Sequence, residues 1–426
     1  MDFVYKPNLE NAPLTTPSYL QVHYLPYFQP ILAVASGEIA GYESLARCKR
    51  GDGVVESAGA VFYDPDIPSQ AKIAIDRYVR ETAISQFSSS ACDGFLSLNI
   101  APDWVDLLDE NAAVPTITMI GRTGIDASKI VIEFTERSGD IGKLKWLRDL
   151  YKRAGLKVAI DDFGVGGSQV DRIIALRPDI IKLDMNLFKL ASQGGPEADV
   201  VLSITAIAQR TGCEIICEGV ETEEEFHFAL ECGADYIQGW LFSPATATTM
   251  NKDTFCSQVN SHKQNYLSRK SRMHVGVATH NQRVVRQVEQ ICNAFRINGV
   301  DTSPEGLVEA SILAELGIKR IYICDFNGKQ HSPNYTVSDR GIDTDYNSMG
   351  FNWCHRPYFP LLHAMHSINA NHIVVSDPYK DALSGSMCKT LGAFISDRHV
   401  LLVDVLTSDG ILFQKDWGNA LPNIER

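Results

Sequence analysis

The sequence contains no run of the roughly 18–20 consecutive apolar residues that a membrane-spanning helix requires. Its N-terminus has three prolines and no apolar stretch behind a basic start, so we expect no signal peptide. The ten cysteines are scattered without a CxxC pair, and Cys213 and Cys217 are separated by three residues on an apparent buried strand. These absences predict a cytoplasmic protein with reduced thiols, and a zinc site is the minor alternative.

Positive charge is also scarce, because 39 Lys and Arg residues stand against 52 Asp and Glu residues, a formal net charge of −13. Proteins that bind duplex DNA nonspecifically normally have the opposite balance, so this class is excluded. An acidic protein can still bind a phosphorylated small molecule if metal ions neutralise the charge. The remaining composition is globular, and 426 residues suffice for two or three domains.

From about Tyr24 to Phe242, short β-branched runs alternate with amphipathic stretches, which predicts a parallel sheet with crossover helices. A hairpin, Tyr27–Val34 and Glu38–Arg47, comes before the other strands. Those strands are Phe95–Ile100, Lys129–Phe134, Lys157–Asp161, Ile180–Asp184, Glu214–Glu218 and Tyr236–Leu241. Nearly every strand is apolar and then ends in a polar residue. This pattern favours an α/β TIM-type barrel, whose active site is built from the ends of many strands. A doubly wound open sheet typically places its ligand-binding residues at one switch point only.

The second half of the chain has a different pattern. No acidic residue occurs from Thr254 to Val288, which indicates a solvated linker helix rather than a binding patch, and we place the domain boundary near Ser271. Helices at about Asn281–Asn298 and Pro304–Leu316, followed by strands with short connections, predict an α+β domain with an antiparallel sheet. The predicted domains are an N-terminal extension (1–20), the barrel (21–260), a helical linker (261–280) and the α+β domain (281–426).

The polar strand ends are the candidate site: Glu43, Asn99, Glu133, Asp161, Asp162, Lys182, Glu218 and Gln238. Four or five carboxylates at one barrel mouth cannot all ionise without cations between them. Oxygen donors suit Mg²⁺ or Mn²⁺, and adjacent aspartates can share two ions about 3.5–4 Å apart. Taken singly, each residue has a structural explanation, such as a helix N-cap or a salt bridge. Their joint occurrence at successive strand ends predicts the metal site.

The motifs that hold these residues resemble those of the EAL-domain phosphodiesterases, which hydrolyse cyclic di-GMP. They are, in order, Phe28-Gln29-Pro30-Ile31, Glu43-Ser44-Leu45-Ala46-Arg47, Asn99 to Pro102, Glu133 to Glu136, Asp161-Asp162-Phe163-Gly164, Lys182-Leu183-Asp184, Glu218-Gly219-Val220-Glu221 and Gln238-Gly239. The resemblance covers about Tyr24 to Phe242. It implies the EAL variant of the TIM-type barrel, a homodimer, and hydrolysis of cyclic di-GMP to linear pGpG with two Mg²⁺ or Mn²⁺ ions.

The same resemblance implies which residues bind the ions. Glu43, Asn99, Glu133 and Asp161 would ligate the first ion, and Asp161 and Asp162 would share the second. No Ser-His or Cys-His nucleophile is apparent in the sequence, which agrees with attack by a metal-activated water.

The resemblance also implies roles for the other matching residues. Lys182 would orient the attacking water, Glu218 would be the general base, and Glu43 would be catalytic with them. The expected substrate contacts are Gln29, Arg47, Asp184 and Gln238, and Arg47 would contact a phosphate. Glu221 would anchor the loop that follows Asp162.

The loop after the aspartates departs from the family pattern, because it reads DDFGVGGSQV where the family usually has DDFGTGYSSL. Val165 replaces a threonine, and Gly167 replaces an aromatic residue. These changes favour the alternative of a catalytically weak or inactive cyclic di-GMP receptor. A lost hydroxyl removes about 0.5–1.5 kcal/mol, far less than a lost metal ligand would, and all expected ligands remain. Hydrolysis of cyclic di-GMP is therefore the leading hypothesis, and a receptor without turnover is the second. The third is a barrel enzyme that hydrolyses a different phosphodiester.

The C-terminal half resembles PAS-like or Cache-type sensor domains. The matching pieces are Ile321–Gly328, Trp353 to Tyr358, Val375 to Tyr379, Cys388–Leu391 and Leu401–Val405. Related sensors bind small anionic or zwitterionic ligands through arginine, aromatic and aspartate residues. The candidates here are Trp353, Arg356, Tyr358, Asp377 and Asp404, and the domain would regulate the barrel. In the alternative interpretation they are core and turn residues of an empty regulatory or dimerising domain.

Overall fold

The computed structural model describes residues 22–90, 92–100, 105, 114–135, 140–164, 170–338, 340–381 and 384–407. The chain divides into two compact units, one ending at Tyr266 and the other beginning at Leu267. Several residues discussed above lie outside the described residues: the extension 1–20, Pro102, Glu136, Val165 and Gly167. None of the described helices combines the length and the hydropathy that crossing a membrane requires.

The first unit alternates strands and helices. Its described strands are β1 His23–Ala33, β2 Ile39–Lys49, β3 Val55–Ser57, β4 Phe95–Asn99, β5 Ile130–Thr135, β6 Lys157–Phe163, β7 Ile180–Leu183, β8 Glu214–Cys217 and β9 Tyr236–Ile237. Its described helices are α1 Gly59–Tyr63, α2 Ser69–Ser89, α3 Pro115–Thr123, the 3₁₀ turn Ala127–Lys129, α4 Ile141–Arg153, α5 Val170–Leu176, α6 Met185–Ala191, α7 Pro196–Thr211 and α8 Glu223–Glu231.

Eight of these strands close into a barrel. From β2 through β4 to β9, each strand pairs in parallel with the next, while β1 pairs antiparallel with both β2 and β9. The short β3 pairs only with the outer end of β2. The predicted TIM-type barrel is therefore confirmed, with one antiparallel strand closing it.

The alternation of strand residues explains why the polar strand ends point into the barrel. Five small or aliphatic residues form a cluster inside it: Ile31, Val131, Ala159, Ile180 and Ile216. Side chains two positions apart on a strand share a face. Glu133, Asp161, Lys182 and Glu218 each follow one of these residues by two positions, so they point the same way. The intervening residues pack in the layer between strands and helices.

Helix ends in this unit follow the sequence signals. Gly212 ends α7 in the left-handed conformation, with φ 75°, as expected for a glycine C-cap. The glutamate-rich run becomes a helix from Glu223 onward, because Thr222 and Glu225 form a capping box. Glu221 stands before that helix.

The second unit contains an antiparallel sheet, as predicted. Its described strands are β10 Ile318–Asp325, β11 Asn334–Ser338, β12 Gly341–Asp345, β13 Val374–Val375, β14 Tyr379–Lys380, β15 Met387–Ser396 and β16 His399–Leu406. They follow the order β12-β11-β10-β16-β15-β13, and β14 also pairs with β15. The helices are α9 Cys256–Asn298, which contains the unit boundary and the predicted linker 261–280, α10 Ala310–Glu315 and α11 Tyr358–Ile368.

Two local predictions for this unit are wrong. The expected helix Pro304–Leu316 is helical only over Ala310–Glu315, because Gly306 takes a left-handed φ of 83° and Glu305 forms an isolated bridge with Val308. Strands β11 and β12 are absent from the sequence-based prediction, because their residues are mostly polar and show no clear apolar alternation.

Gly239 allows two chain segments at the barrel mouth to touch, and this gives a stability prediction. A Cβ at Gly239 would collide with the backbone carbonyl oxygen and nitrogen of Val220. We expect Gly239→Ala to lower the free energy of unfolding by about 1–3 kcal/mol, because backbone atoms cannot move aside cheaply. Chemical denaturation followed by circular dichroism measures the change.

The matched control is Gly121→Ala on α3, where an added Cβ meets no atom within 4 Å. A helical glycine replaced by alanine gains up to about 1 kcal/mol, so this variant should be as stable as the parent or more so. Equal effects of the two substitutions would contradict the close contact.

Candidate functional site

The centre of the barrel mouth is the buried ammonium of Lys182, at the end of β7. Its Nζ lies 2.7 Å from Glu218 Oε1, 3.0 Å from Glu133 Oε2, 3.0 Å from Asp161 Oδ1 and 3.4 Å from Glu43 Oε2. Only 1% of the lysine side chain is exposed. The structure thus brings five of the predicted site residues, from five different βα segments of the barrel, into one cluster.

Neutral donors fix the orientation of two of these carboxylates. Asn99 Nδ2 and Gln238 Nε2 each donate a hydrogen bond of 2.7 Å to Glu43, one to each carboxylate oxygen. The Ser97 hydroxyl donates to Glu133. Sequence reasoning missed Ser97, although its place two residues before Asn99 on the same strand face was an available signal.

Burial sets most of the proton affinities in the cluster. It raises the pKa of Glu133 well above the usual range, and it raises the pKa of Glu218 to about 8. Burial, with the charge of Asp161, also raises the pKa of Asp162 to about 6. These shifts mean that the carboxylates resist ionising together, since the cluster holds more negative charge than Lys182 neutralises.

The pKa values of Lys182 and Glu43 shift in the direction opposite to the one that burial alone would cause. Burial alone would lower the pKa of Lys182, but the surrounding carboxylates raise it well above its usual value. Burial would raise the pKa of Glu43, but the charge of Lys182 and the donors Gln238 and Asn99 together lower it. Both groups are therefore held in their charged forms.

The carboxylates form two groups that fit divalent ions. In each group, one oxygen from every member lies within 4.8 Å of the others: Glu43, Glu133 and Asp161 in the first, and Asp161, Asp162 and Glu218 in the second. All the donors are hard oxygens, which Mg²⁺ and Mn²⁺ prefer, and Asp161 belongs to both groups. The residues present thus fit a pair of ions that share one carboxylate.

A backbone irregularity places Asp161 and Asp162 together. Neighbouring residues on a regular strand point to opposite faces, which would separate the two carboxylates. Here the pairing of β6 with β7 shifts register between Ile160 and Phe163, and Asp162 takes a positive φ of 54°. The resulting bulge lets both side chains contribute to the same ligand group, together with Glu218.

The expected substrate contacts have different surroundings. Gln29 lies opposite Glu43 in the β1–β2 register and is half-buried. Arg47 is also half-buried, with its Cζ 5.8 Å from the Tyr27 ring centroid. Asp184 caps α6, because one of its oxygens accepts the backbone N–H groups of the first turn. Helix capping is the structural role of this aspartate, and its contact with a substrate stays a prediction.

Glu221, the expected loop anchor, is exposed and forms an ion pair of 2.8 Å with Lys189 on α6. Its backbone N–H donates to Glu225 at the start of α8. The loop that it is expected to hold lies outside the described residues, so this role stays a prediction. Lys189 was not singled out from the sequence, where a lysine on a short helix carries no signal of its own.

In the second unit, the candidates differ in burial and contacts. The Arg356 Cζ lies 5.6 Å from the Trp353 ring centroid. Tyr358 and Asp404 are buried, and the charge of Asp404 contributes to raising the pKa of Tyr358, after burial, to about 12. Asp377 is exposed. Four of the five candidates therefore take part in buried or stacked contacts.

Comparison with protein families finds two matches along the chain. Residues 19–245 match the family model described as EAL domain, which is more than half of the sequence. Residues 249–417 match a model described as an EAL-domain associated signalling protein domain. The second match identifies a signalling-associated domain, while the PAS-like or Cache-type character stays a prediction.

One similar protein aligns with nearly the whole chain. YkuI of Bacillus subtilis, an uncharacterized EAL-domain containing protein, is 26% identical over 395 residues, covering 92% of this chain and 96% of YkuI. The crystal structure of YkuI in complex with substrate c-di-GMP and calcium superposes with a TM-score of 0.79, covering 90% of this chain and 96% of that one.

Two Escherichia coli proteins are similar over the barrel half alone. The probable cyclic di-GMP phosphodiesterase PdeA is 28% identical over 226 residues, and the cyclic di-GMP phosphodiesterase PdeL is 26% identical over 231 residues. These alignments cover 49% and 52% of this chain, and only 31% of PdeA and 62% of PdeL.

The cluster predicts a large stability effect of removing its cation. We expect Lys182→Met to lower the free energy of unfolding, measured by chemical denaturation with a chelator present, by about 3–5 kcal/mol. The reason is that buried carboxylates then lose their counter-charge. Added Mg²⁺ should restore part of the loss.

Lys189→Met is the matched control, because it removes a lysine from a more exposed pair with Glu221. Such pairs contribute about 1 kcal/mol or less. A Lys182→Met protein as stable as the control would show that the carboxylates tolerate the loss by taking up protons.

Proposed function

Since the chain belongs to the EAL-domain family, we propose that it hydrolyses cyclic di-GMP to linear pGpG with two divalent ions, Mg²⁺ or Mn²⁺. The observation that carries the proposal is the pair of carboxylate groups that share Asp161 around the buried Lys182. Two ions held by these carboxylates would stabilise both the attacking and the leaving oxygen of a phosphodiester. The phosphodiesterases among the relatives and the cyclic di-GMP complex of YkuI support the choice of substrate.

The bound ions would supply positive charge beside the phosphodiester and acidify a coordinated water. Glu43, Glu133, Asp161 and Asp162 would hold them, together with Asn99. Glu133 is fully buried and orients Lys182, so we propose that it holds an ion and does not transfer a proton.

Glu218 is the proposed general base because it stands at the accessible edge of the cluster. Its side chain is 16% exposed, whereas that of Glu133 is 0% exposed. It can therefore reach a water on the substrate side, and Lys182, at 2.7 Å, keeps it oriented. Lys182 is itself proposed to orient the attacking water, the role that the family resemblance implies, by fixing the carboxylates of Glu218, Glu133 and Asp161 around it.

Arg47 is the proposed phosphate contact. Its Nη1 donates to the carbonyl oxygen of Ala46, and its guanidinium lies against the Tyr27 ring. The other N–H groups of a guanidinium so placed can donate to a phosphate in a planar fork. Gln29 and Asp184 remain proposed substrate contacts, and Gln238 would act through Glu43.

A cyclic di-GMP receptor without turnover is the second candidate function. The substitutions at Val165 and Gly167, in the loop after the aspartates, favour it. Retention of every expected metal ligand and of Lys182 favours the enzyme instead.

The test of function is incubation of the purified chain with cyclic di-GMP and either Mg²⁺ or Mn²⁺. We expect linear pGpG as the product, detected chromatographically, and none from Glu43→Ala. Ca²⁺ should inhibit, because it is larger and tolerates looser coordination than the tight octahedron of Mg²⁺.

Glu218→Gln separates catalysis from binding. The amide keeps the shape but not the basicity, so turnover should fall by about 10²–10⁴-fold while substrate binding remains. The matched control Glu197→Gln, on the exposed face of α7, should keep full activity. Binding without turnover in the parent chain would select the receptor, and absence of binding would contradict both functions.

We also propose that the second unit regulates the activity of the barrel and that it binds a small metabolite. The protein is proposed to be a cytoplasmic homodimer. The first part of α9 belongs to the barrel unit, where Asn265 Nδ2 donates a hydrogen bond of 2.7 Å to Glu223 on α8. A truncated chain should therefore end after Lys270, which keeps this contact.

We expect this truncation to change the oligomeric state, measured by sedimentation, or the turnover rate. A coupling of about 1–3 kcal/mol corresponds to a change of about 5–150-fold. If the truncated chain and the full chain have the same oligomeric state, metal dependence and turnover rate, the second unit does not regulate the barrel under those conditions.

A further inference from the structure

Two histidines face one carboxylate where helix α8 meets the first part of α9. Glu223 Oε1 on α8 lies 3.7 Å from Nε2 of His227 on the same helix and 3.3 Å from Nδ1 of His262 on α9. Asn265 Nδ2, also on α9, donates a hydrogen bond of 2.7 Å to the same oxygen. One carboxylate oxygen therefore gathers nitrogen atoms from both helices.

The two imidazoles are buried without complete hydrogen bonding. The side chain of His227 is 9% exposed, and that of His262 is 18% exposed. Among the described residues, neither ring nitrogen of His227 nor the Nδ1 of His262 has a hydrogen-bond partner of acceptable geometry. Such burial costs free energy. A protonated imidazole has two N–H donors, so a small rotation of either ring would complete a charge-assisted bond to Glu223.

Aromatic rings surround the two imidazoles. The ring centroid of His262 lies 5.4 Å from that of Phe226 on α8 and 6.3 Å from that of Phe242, in the segment between β9 and α9. The His227 ring centroid lies 5.4 Å from that of Tyr266 on α9. Apolar surroundings lower the local dielectric, which strengthens an ion pair formed inside them.

Glu223 is ionised in the pH range in which histidines titrate. The hydrogen bond from Asn265 contributes most to lowering its pKa, and His262 contributes next. Histidine is the side chain that ordinarily changes charge between pH 5 and 8. A negative carboxylate therefore faces both imidazoles when they take up protons.

The other ionisable groups nearby are not equivalent to Glu223. On α8, Glu224 is exposed, and Glu231 acts on Tyr266, whose pKa is raised by burial first and by the charge of Glu231. Tyr266 is therefore neutral in the range of histidine titration. On α9, Lys263 Nζ donates a hydrogen bond of 2.7 Å to the carbonyl oxygen of Ala35.

We propose that Glu223, His227 and His262 form a proton-sensitive latch that holds the first part of α9 on the barrel. Protonation of the imidazoles creates ion pairs with Glu223. The latch is thus tight in mildly acidic solution, weakens as the pH rises through the histidine range, and is lost in strong acid when the carboxylate takes up a proton.

The latch lies where the barrel unit's share of α9 ends. Tyr266, whose ring contacts His227, is the last residue of that unit, and α9 continues into the second unit. Proton uptake would therefore fix the turns of α9 that come immediately before the unit boundary. This inference goes beyond the proposed hydrolysis and does not depend on it.

The test is amide hydrogen exchange, measured by mass spectrometry on the full chain and corrected for the intrinsic rate at each pH. In Glu223→Gln, protection of residues 256–266 should fall by at least about fivefold at about pH 5.5 and by less than about twofold at about pH 8. The matched control is Glu224→Gln, which removes an exposed charge from the same turn of α8 and should exchange like the parent.

His262→Gln and His227→Gln should each reduce the pH dependence of this protection, whereas His280→Gln, exposed on α9, should not. Thermal unfolding checks that each variant is folded, and Glu223→Gln, which keeps the shape of the side chain, serves if a histidine variant is not. Three results would overturn the latch. They are an equal loss of protection at both pH values in Glu223→Gln, an equal effect of Glu224→Gln, and an unchanged pH dependence in both folded histidine variants.

Discussion

The barrel mouth depends on one electrostatic constraint, the imbalance around the Lys182 ammonium. Four carboxylates lie within 3.4 Å of it, but six pairs of carboxylates approach one another within 4.8 Å in the two ligand groups. Two unit charges about 4 Å apart interact by about 4 kcal/mol near a protein surface, so repulsion competes with the attraction. Only protons or further cations can balance such a cluster. The geometry therefore couples the folding of the mouth to its ability to bind ions.

Because the clustered residues come from different strands, the site exists only when the barrel is closed. Much of this could be predicted from sequence, since a polar residue two positions after a buried one must share its face. The hairpin of β1 and β2 was predicted, but the antiparallel pairing of β1 with β9, which closes the barrel, was not, because it leaves no signal in the residues of either strand. The role of Asp184 was equally hidden, because an aspartate after a strand serves a helix cap as readily as a ligand.

In the second unit, the antiparallel sheet and most strands could be predicted, but the pairing of side chains could not. Asp404 accepts a hydrogen bond from Tyr379, which lies 25 residues earlier in the chain, and its expected contact with a ligand stays a prediction. Such a contact follows from strand register, and register depends on the whole sheet. The contact between Arg356 and Trp353 is local, because the two residues are three positions apart in the sequence.

The bulge at Asp162 restricts how this protein can evolve. A left-handed backbone conformation favours glycine, asparagine and aspartate, and it disfavours β-branched side chains. The chemistry of the mouth demands a carboxylate at the same position. Descendants released from selection for the ion site would thus drift first to asparagine or glycine there, since both keep the bulge. Loss of the carboxylate group in this lineage would leave the barrel intact and a recognisable substitution at position 162.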